Sequence, residues 1–345
     1  MNMVRKSICG LASDEIFDLI RSSGFTTGHA VSLAHNVYKK HRSDISLFEK
    51  IPKTLKIMLS ASAVSGIFFP KDELVSDDKS VKYLFVSEFG KVFETVYIPE
   101  GRRHTVCVST QSGCRMGCTF CATGEYGYKG NLTSAEIVNQ IIAIPQAEKI
   151  THVVFMGMGE PMDNLENVLK ACNIITAEWG LALSPRNVTV STVGILPGIE
   201  KFLKASDCNM TLSLFSPFAD ERVKGVPIEK LYPFQKILDL MKQFKVRKGR
   251  RLSVAYMMIQ NVNDTDSHLR ELISIVKGSS VRVNLIPYHP HPGVQNLSSS
   301  KERMQYFKHN LVISGISASI RKSRGADISA ACGLLALGMM SADKK

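Results

Sequence analysis

Polar and apolar positions change rhythm twice along the chain. Across residues 1–75 the apolar positions recur at three- and four-residue spacings, within 14–21, 28–40 and 52–63. That spacing puts them on one face of a helix, with Asp14 and Ser46 as candidate caps. From residue 81 the repeat shortens. Runs 81–86 and 91–99 are β-rich and flank Ser87-Glu-Phe-Gly90, the pattern of a hairpin. Beyond 104, β-rich runs alternate with helical ones. Strands are predicted at 104–110, 152–158, 187–193, 209–215, 252–259 and 281–287. Helices fall between them at 133–143, 164–178, 197–204, 234–244 and 266–277, with a last one at 300–314. Thr133 and Glu136 have capping-box spacing, in which each residue's side chain satisfies the other's orphan amide.

Three units follow: a helical unit at 1–75, a β-hairpin connector at 76–103, and an α/β unit at 104–345 that ends in a cysteine-bearing segment. Six β/α repeats in succession predict a parallel sheet with right-handed crossovers. Six are too few for an eight-fold barrel, so the expected architecture is an open, partial (β/α)6 barrel, with a flat doubly wound sheet as the alternative. In both, ligands sit at the carboxyl ends of the strands.

Composition narrows the class. The 345 residues are 44 % apolar, too apolar for a disordered chain, and eight cysteines are too few for a disulfide scaffold. The first 20 residues carry acids and no long apolar stretch, and no run suits a membrane helix. A soluble cytoplasmic protein with reduced thiols is expected. The formal net charge of +12 favours polyanionic partners. Six bases lie within 242–251, and smaller groups occur at 39–42, at Arg102-Arg103 and at Arg321-Lys322-Ser-Arg324. Taken singly, such runs are most often solvated helix ends.

Chemistry concentrates just after the first predicted strand of the repeat, in Cys114-Arg-Met-Gly-Cys118-Thr-Phe-Cys121. Three thiolates on one loop can converge on a metal centre, yet no fourth ligand is near in sequence. Structural zinc takes four protein ligands and ordinary ferredoxin clusters take four thiolates. Three cysteines suit a 4Fe–4S cluster with one iron left open to substrate. A zinc site completed by a distant histidine is the alternative.

This motif, with Phe120 before its last cysteine, resembles that of the radical S-adenosylmethionine (SAM) superfamily. Further segments narrow the resemblance: Glu94-Thr-Val-Tyr-Ile-Pro99, Cys107-Val-Ser-Thr-Gln-Ser-Gly-Cys114, Phe155-Met-Gly-Met-Gly-Glu-Pro161, Leu183-Ser-Pro-Arg186, Ser191-Thr-Val-Gly194, Asn284-Leu-Ile-Pro287 and Ala330-Ala-Cys332-Gly333. In this order they are similar to the RlmN/Cfr family of adenosine RNA methyltransferases. The resemblance implies two SAM molecules per turnover. One methylates a cysteine; the other, on the cluster, yields a radical that takes hydrogen from that methyl group, and the carbon radical then adds to adenine. It implies Cys332 as the methyl carrier, Cys107 as the resolving cysteine and Glu94 as proton acceptor. It assigns Gly159, Glu160, Ser191, Ser213, Leu214, Phe215 and Asn284 to SAM, with Gly157 and Gly159 giving the ligand room. For the helical unit at 1–75 the resemblance implies an RNA-binding accessory role. Carbon 2 of an adenine in 23S rRNA is the expected target, with tRNA as a second substrate. A flavodoxin or ferredoxin is the expected electron donor, and the expected state is a monomer. A Cfr-like carbon-8 methyltransferase conferring antibiotic resistance, a non-catalytic RNA-binding protein with a metal site, and a radical SAM enzyme acting on a small molecule are the alternatives.

The chain departs from the family pattern at two places. The usual Ser-Leu-His is Ser213-Leu214-Phe215, and the usual Asp-Ile-Asp is Asp327-Ile-Ser329. Phenylalanine has none of the hydrogen bonds of an imidazole. Gly159-Glu160-Pro161 is similar to the RlmN branch, whereas Ser216-Pro217-Phe218 and Phe120-Cys-Ala-Thr-Gly124 are closer to Cfr, a mixture that fits a divergent branch.

Overall fold

The structure is a computed structural model that describes residues 5–290 and 296–336. Its centre is a ten-stranded sheet whose strands lie side by side in chain order. The strands are β1 (Asp72–Val75), β2 (Val81–Val86), β3 (Val92–Glu100), β4 (Arg103–Cys107), β5 (His152–Phe155), β6 (Val188–Thr192), β7 (Asn209–Ser213), β8 (Leu252–Met258), β9 (Arg282–Pro287) and β10 (Ala318–Ile320). From β4 to β10 all neighbours are parallel, while β1 to β4 pair antiparallel. Strictly sequential order means that every crossover turns the same way, so the helices collect on one face and the sheet curls around the other. A doubly wound sheet would reverse its strand order at a switch point; this sheet does not, and the open-barrel expectation holds.

The alternation of side chains explains why the interior stays hollow. On β6, Val188 and Val190 are fully buried against the helices, while Thr189 and Ser191 point inward. Met210 and Leu212 face outward on β7, and Thr211 and Ser213 face inward. Small polar groups therefore line the lumen, and large apolar ones pack beneath α4 (Ser134–Ile142), α5 (Leu165–Thr176), α6 (Leu196–Ala205), α7 (Phe234–Gln243), α8 (Asp266–Val276) and α9 (Lys301–Ile313). The Thr133 capping box forms: the Thr133 amide donates to Glu136 Oε2 at 2.7 Å and the Glu136 amide to Thr133 Oγ1 at 3.2 Å.

Several local expectations need correction. The hairpin strands β2 and β3 are part of the central sheet, with β1 added at its edge. A seventh parallel strand, β10, has only three residues, too few for a period to show. Strand β7 stops at Ser213, and Phe215 turns into the left-handed region at φ +67°. Neither expected N-terminal cap acts as one. Glu15 accepts the Ala12 amide at 2.8 Å at the start of the helix Ser13–Ile20, and Asp44 accepts the Ser46 amide at 2.8 Å. Thr265 caps α8, its side chain accepting from the His268 amide.

The N-terminal helices dock outside the barrel on α4 and α5. Lys170 pairs with Glu15 at 2.7 Å, and Ser134 Oγ donates to the Gly10 carbonyl at 3.0 Å. Cys9 is buried in this contact; burial pushes its thiol up to about 12, which marks a packing cysteine rather than a reactive one. Residues 337–345, which end the third expected unit, lie outside the described residues.

Candidate active site

The cysteine loop leaves the top of β4 and returns through a short helix, Ala122–Tyr126. Cys114, Cys118 and Cys121 line one cavity of about 150 Å³ together with Gly159, Glu160, Ser191, Ser213 and Cys332. Backbone contacts hold the loop: the Cys114 amide donates to the Gly127 carbonyl at 3.2 Å and the Cys121 amide to the Cys118 carbonyl at 3.2 Å. Burial pushes the Cys118 thiol well above its usual range, and the neighbouring Cys121, Cys114 and Glu160 add to the rise. Such a site resists holding three bare thiolates and favours metal-bound ones, because a metal removes the charge that burial penalises. Among the described residues, no Cys, His, Asp or Glu group closes on a single metal ion.

Glu160 is buried at the end of β5, and its carboxylate accepts amides from Met162 and Val193, each at 2.9 Å. Burial pushes its carboxyl up to about 7 against these hydrogen bonds. Gly157 and Gly159 line the cavity beside the cysteine loop, and their missing side chains also serve chain packing. A Cβ at Gly157 would lie 2.7 Å from the Val108 carbonyl, and one at Gly159, where φ is +97°, 2.5 Å from Gln111. The two glycines let β5 run hard against the segment after β4. Ser191 and Ser213 share a hydrogen bond of 3.2 Å.

A second cavity, of about 550 Å³, occupies the lumen below and is lined by Cys107, Asn284 and Cys332. Cys107 is buried on β4, and its thiol is pushed up to about 12 by burial and by Cys332, with Arg321 opposing. Cys332 lies on a segment tied down at many points. Gly333 accepts the Ala122 amide at 2.9 Å, and Glu94 Oε2 accepts the Ala336 amide at 2.7 Å. Glu94 itself is buried and pairs with buried Lys82 at 3.3 Å. Glu94 thus holds the cysteine segment and lines neither cavity.

Leu214 and Phe215 also line neither cavity. The Phe215 ring stacks on Phe120 at 5.3 Å and an 8° interplanar angle, and its carbonyl accepts from Asn263 Nδ2 at 2.7 Å. The ring is part of a small apolar cluster with Cys118, Val226, Ile259 and Tyr288. Phenylalanine therefore gives the cysteine loop a dry wall where an imidazole would need polar partners.

Sequence reasoning missed Arg222, which is fully buried. Its guanidinium pairs with Glu229 and donates to the carbonyls of Leu214 at 2.8 Å, Ser213 at 3.2 Å and Val193 at 2.5 Å. It binds together the carboxyl ends of β6 and β7, where Ser191 and Ser213 sit. Its only sequence signal is an acid seven residues on, which is weak. Asp163, held by Arg115 at 2.7 Å and Gln111 at 2.7 Å, escaped notice in the same way.

An open parallel barrel with a three-cysteine loop at its carboxyl end defines the radical SAM class, and residues 108–273 match the Radical SAM superfamily model. The chain is 38 % identical over 331 residues to a probable dual-specificity RNA methyltransferase RlmN of Parabacteroides distasonis, covering 96 % of each chain. It is 38 % identical over 343 residues to the Bacteroides thetaiotaomicron protein of the same name, covering 99 % of each. A radical SAM methyltransferase crystal structure from Sphaerobacter thermophilus superposes with a TM-score of 0.89 at 35 % identity, over 96 % of this chain and 99 % of that one. The chain belongs to the RlmN family of radical SAM methyltransferases. Its cofactors are a 4Fe–4S cluster and SAM, and the donor set fits them: the three thiols of one loop, with the Glu160 carboxylate and the Ser191 and Ser213 hydroxyls on the same cavity wall.

Proposed function

We propose that this protein methylates a ring carbon of adenine in RNA, at carbon 2 of an adenosine in 23S rRNA and also in tRNA, through a methyl group carried on Cys332. The observation that carries this reading is the position of Cys332, which lines both the cysteine-loop cavity and the barrel lumen. Cys114, Cys118 and Cys121 hold the cluster, and the cluster with SAM supplies the radical that an unreactive ring carbon requires. Glu160 and the Ser191–Ser213 pair would hold SAM in the cavity that Cys332 also lines. Cys107, which shares the lumen cavity with Cys332, is the resolving residue in this reading. Its thiolate sulfur bonds to Cys332 sulfur as the bond from that sulfur to the methylene carbon breaks. The carbon leaves on the base and takes up a proton to become its methyl group, and the adduct's surplus electron passes to the electron-carrier protein. Glu94, two strand positions from Val96, the partner of Cys107 across the β3–β4 ladder, takes the proton from the adduct once the Ala336 amide has swung away. The N-terminal helices contribute to RNA contact, a flavodoxin- or ferredoxin-type protein supplies electrons, and the enzyme acts as a monomer in the cytoplasm. Among the described residues no helix is long and apolar enough to cross a membrane.

Mass spectrometry of nucleosides from 23S rRNA and tRNA, in cells with and without the protein, tests the reading. A 2-methyladenosine present only with the protein is the expected result. Identical nucleoside profiles would sink it, and 8-methyladenosine would move the assignment to the other ring carbon.

A further inference from the structure

The lumen cavity has two different ends. At the inner end Met156, Ala255, Ile286 and Cys332 line both cavities, so the lumen opens directly onto the methyl-carrying cysteine. The other end is ringed by cations. Arg103 opens β4, Arg251 precedes β8 and Arg282 opens β9, all at the amino ends of these strands, and Lys322 and Arg324 reach Glu100 there. Arg321, after β10, instead reaches inward, its guanidinium 2.8 Å from Met156 Sδ. Glu100 is the one acid among the described lining residues.

The internal partners do not neutralise this ring. Lys322 and Arg324 share Glu100 at 3.6 and 3.8 Å. Arg103 Nε donates only to Thr105 Oγ1, at 3.2 Å. The side chains of Arg251 and Arg282 have no hydrogen bond or ion pair among the described residues. Partial burial and the charges of Arg321 and Arg251 hold Arg103 below its usual range, with Glu100 opposing. The sequence run at 242–251 hides this arrangement. Consecutive strand residues face opposite ways: Arg250 turns outward and donates to the Cys208 and Leu203 carbonyls, and Arg251 alone turns into the lumen.

We infer that this cationic ring is a phosphate clamp for the RNA strand carrying the target base. The base leaves its stack and passes up the lumen to Cys332 from the end opposite the cysteine loop, while Arg103, Arg251 and Arg282 hold the phosphates on either side of it. The inference rests on the RNA reading above. It has a physical basis of its own: an extruded base needs a pocket, and its flanking phosphates need fixed cations at that pocket's rim. The lumen walls between, Thr189, Thr211, Ser253 and Asn284, offer hydroxyl and amide groups to a base edge.

The test uses the full-length enzyme loaded with cluster and SAM, and 23S rRNA transcribed in vitro as probe. Methyl transfer is followed between about 50 and about 200 mM salt. Arg251→Gln with Arg282→Gln should raise the KM for RNA by about tenfold or more near physiological salt, with kcat at saturating RNA and the KM for SAM unchanged. Loss of two phosphate contacts should also flatten the slope of log(kcat/KM) against log salt by roughly 1.4 to 1.8. Lys245→Gln, at an exposed residue of the same basic run that does not line the lumen, should leave the slope as it is. A double variant with wild-type KM and slope overturns the clamp. A double variant whose KM for SAM rises in step with that for RNA also overturns it, since a merely structural defect acts that way. If the unaltered enzyme methylates no RNA, the functional reading itself has failed and the clamp falls with it.

Discussion

Arg222 shows how much one buried side chain can decide. Burial depresses the guanidinium, and Glu229 offsets that cost through charge and hydrogen bonding. The carbonyls of Leu214, Ser213 and Val193 accept from its remaining donors, so one cation ties down three carbonyls at the ends of β6 and β7. Removing one partner of a buried ion pair strands the other and costs about 3–5 kcal/mol. Arg222→Ala should therefore lower the unfolding free energy by about that much in urea titration, and raise the KM for SAM more than it lowers kcat. A change under 1 kcal/mol would mean that Glu229 finds other partners. Gly225 carries a second single-residue constraint. A Cβ there would lie 2.3 Å from the Phe215 ring, so Gly225→Ala should destabilise by about 1–3 kcal/mol through overpacking. The loss should shrink when Phe215→Leu is added, because the smaller side chain clears the space.

At the scale of elements, the cysteine-bearing segment is fastened by two carboxylates to the turn between β1 and β2. Asp78 accepts the Gly325 amide at 2.9 Å, and Asp327 accepts from Ser76 Oγ at 2.6 Å and the Asp77 amide at 3.1 Å. Partial burial pushes the Asp78 carboxyl up, but hydrogen bonds from Ser80, Gly325 and Ser76 outweigh it and hold it at about 2. The hydrogen bond from Ser76 similarly lowers Asp327. Both groups ionise more readily in the folded chain, so their tethering is present above the ordinary carboxylate range and is lost as the pH falls from about 4 to about 2. Amide exchange should show 325–336 losing protection over that interval. Asp78→Asn should already exchange faster there at neutral pH and keep only the smaller acid step that Asp327 contributes; equal protection in both proteins would remove the tether. The departure at Ser329 fits this picture. Asp327 makes the anchoring contacts, and Ser329 sits at φ +53° with no hydrogen bond from its side chain among the described residues.

At the scale of the molecule there are two cores of unequal weight. The main one runs through the N-terminal helices, the sheet and the outer helices, while the cysteine loop packs on the small cluster around Cys118 and Phe215. Folding and cofactor retention should therefore separate. Cys118→Ala should lose the iron–sulfur absorbance after anaerobic reconstitution and keep its far-ultraviolet circular dichroism; loss of both together would join the two cores into one unit. The alternating helices and strands, the cysteine loop and its family relationship were legible in the sequence, because periodicity and short motifs are local properties. The inward set of Thr189, Thr211 and Ser253 was legible only as alternation, since period two says that faces differ and not which one is hollow. Cys332 lies 211 residues beyond Cys121, Arg222 gathers carbonyls from two strand ends, and Arg251 parts from Arg250 to join Arg103 and Arg282. The sequence by itself determined the element types, the three-cysteine loop and the class of chemistry. The curl of the sheet decided the rest, because only closing it around a lumen brings residues so far apart in the chain onto one cavity wall.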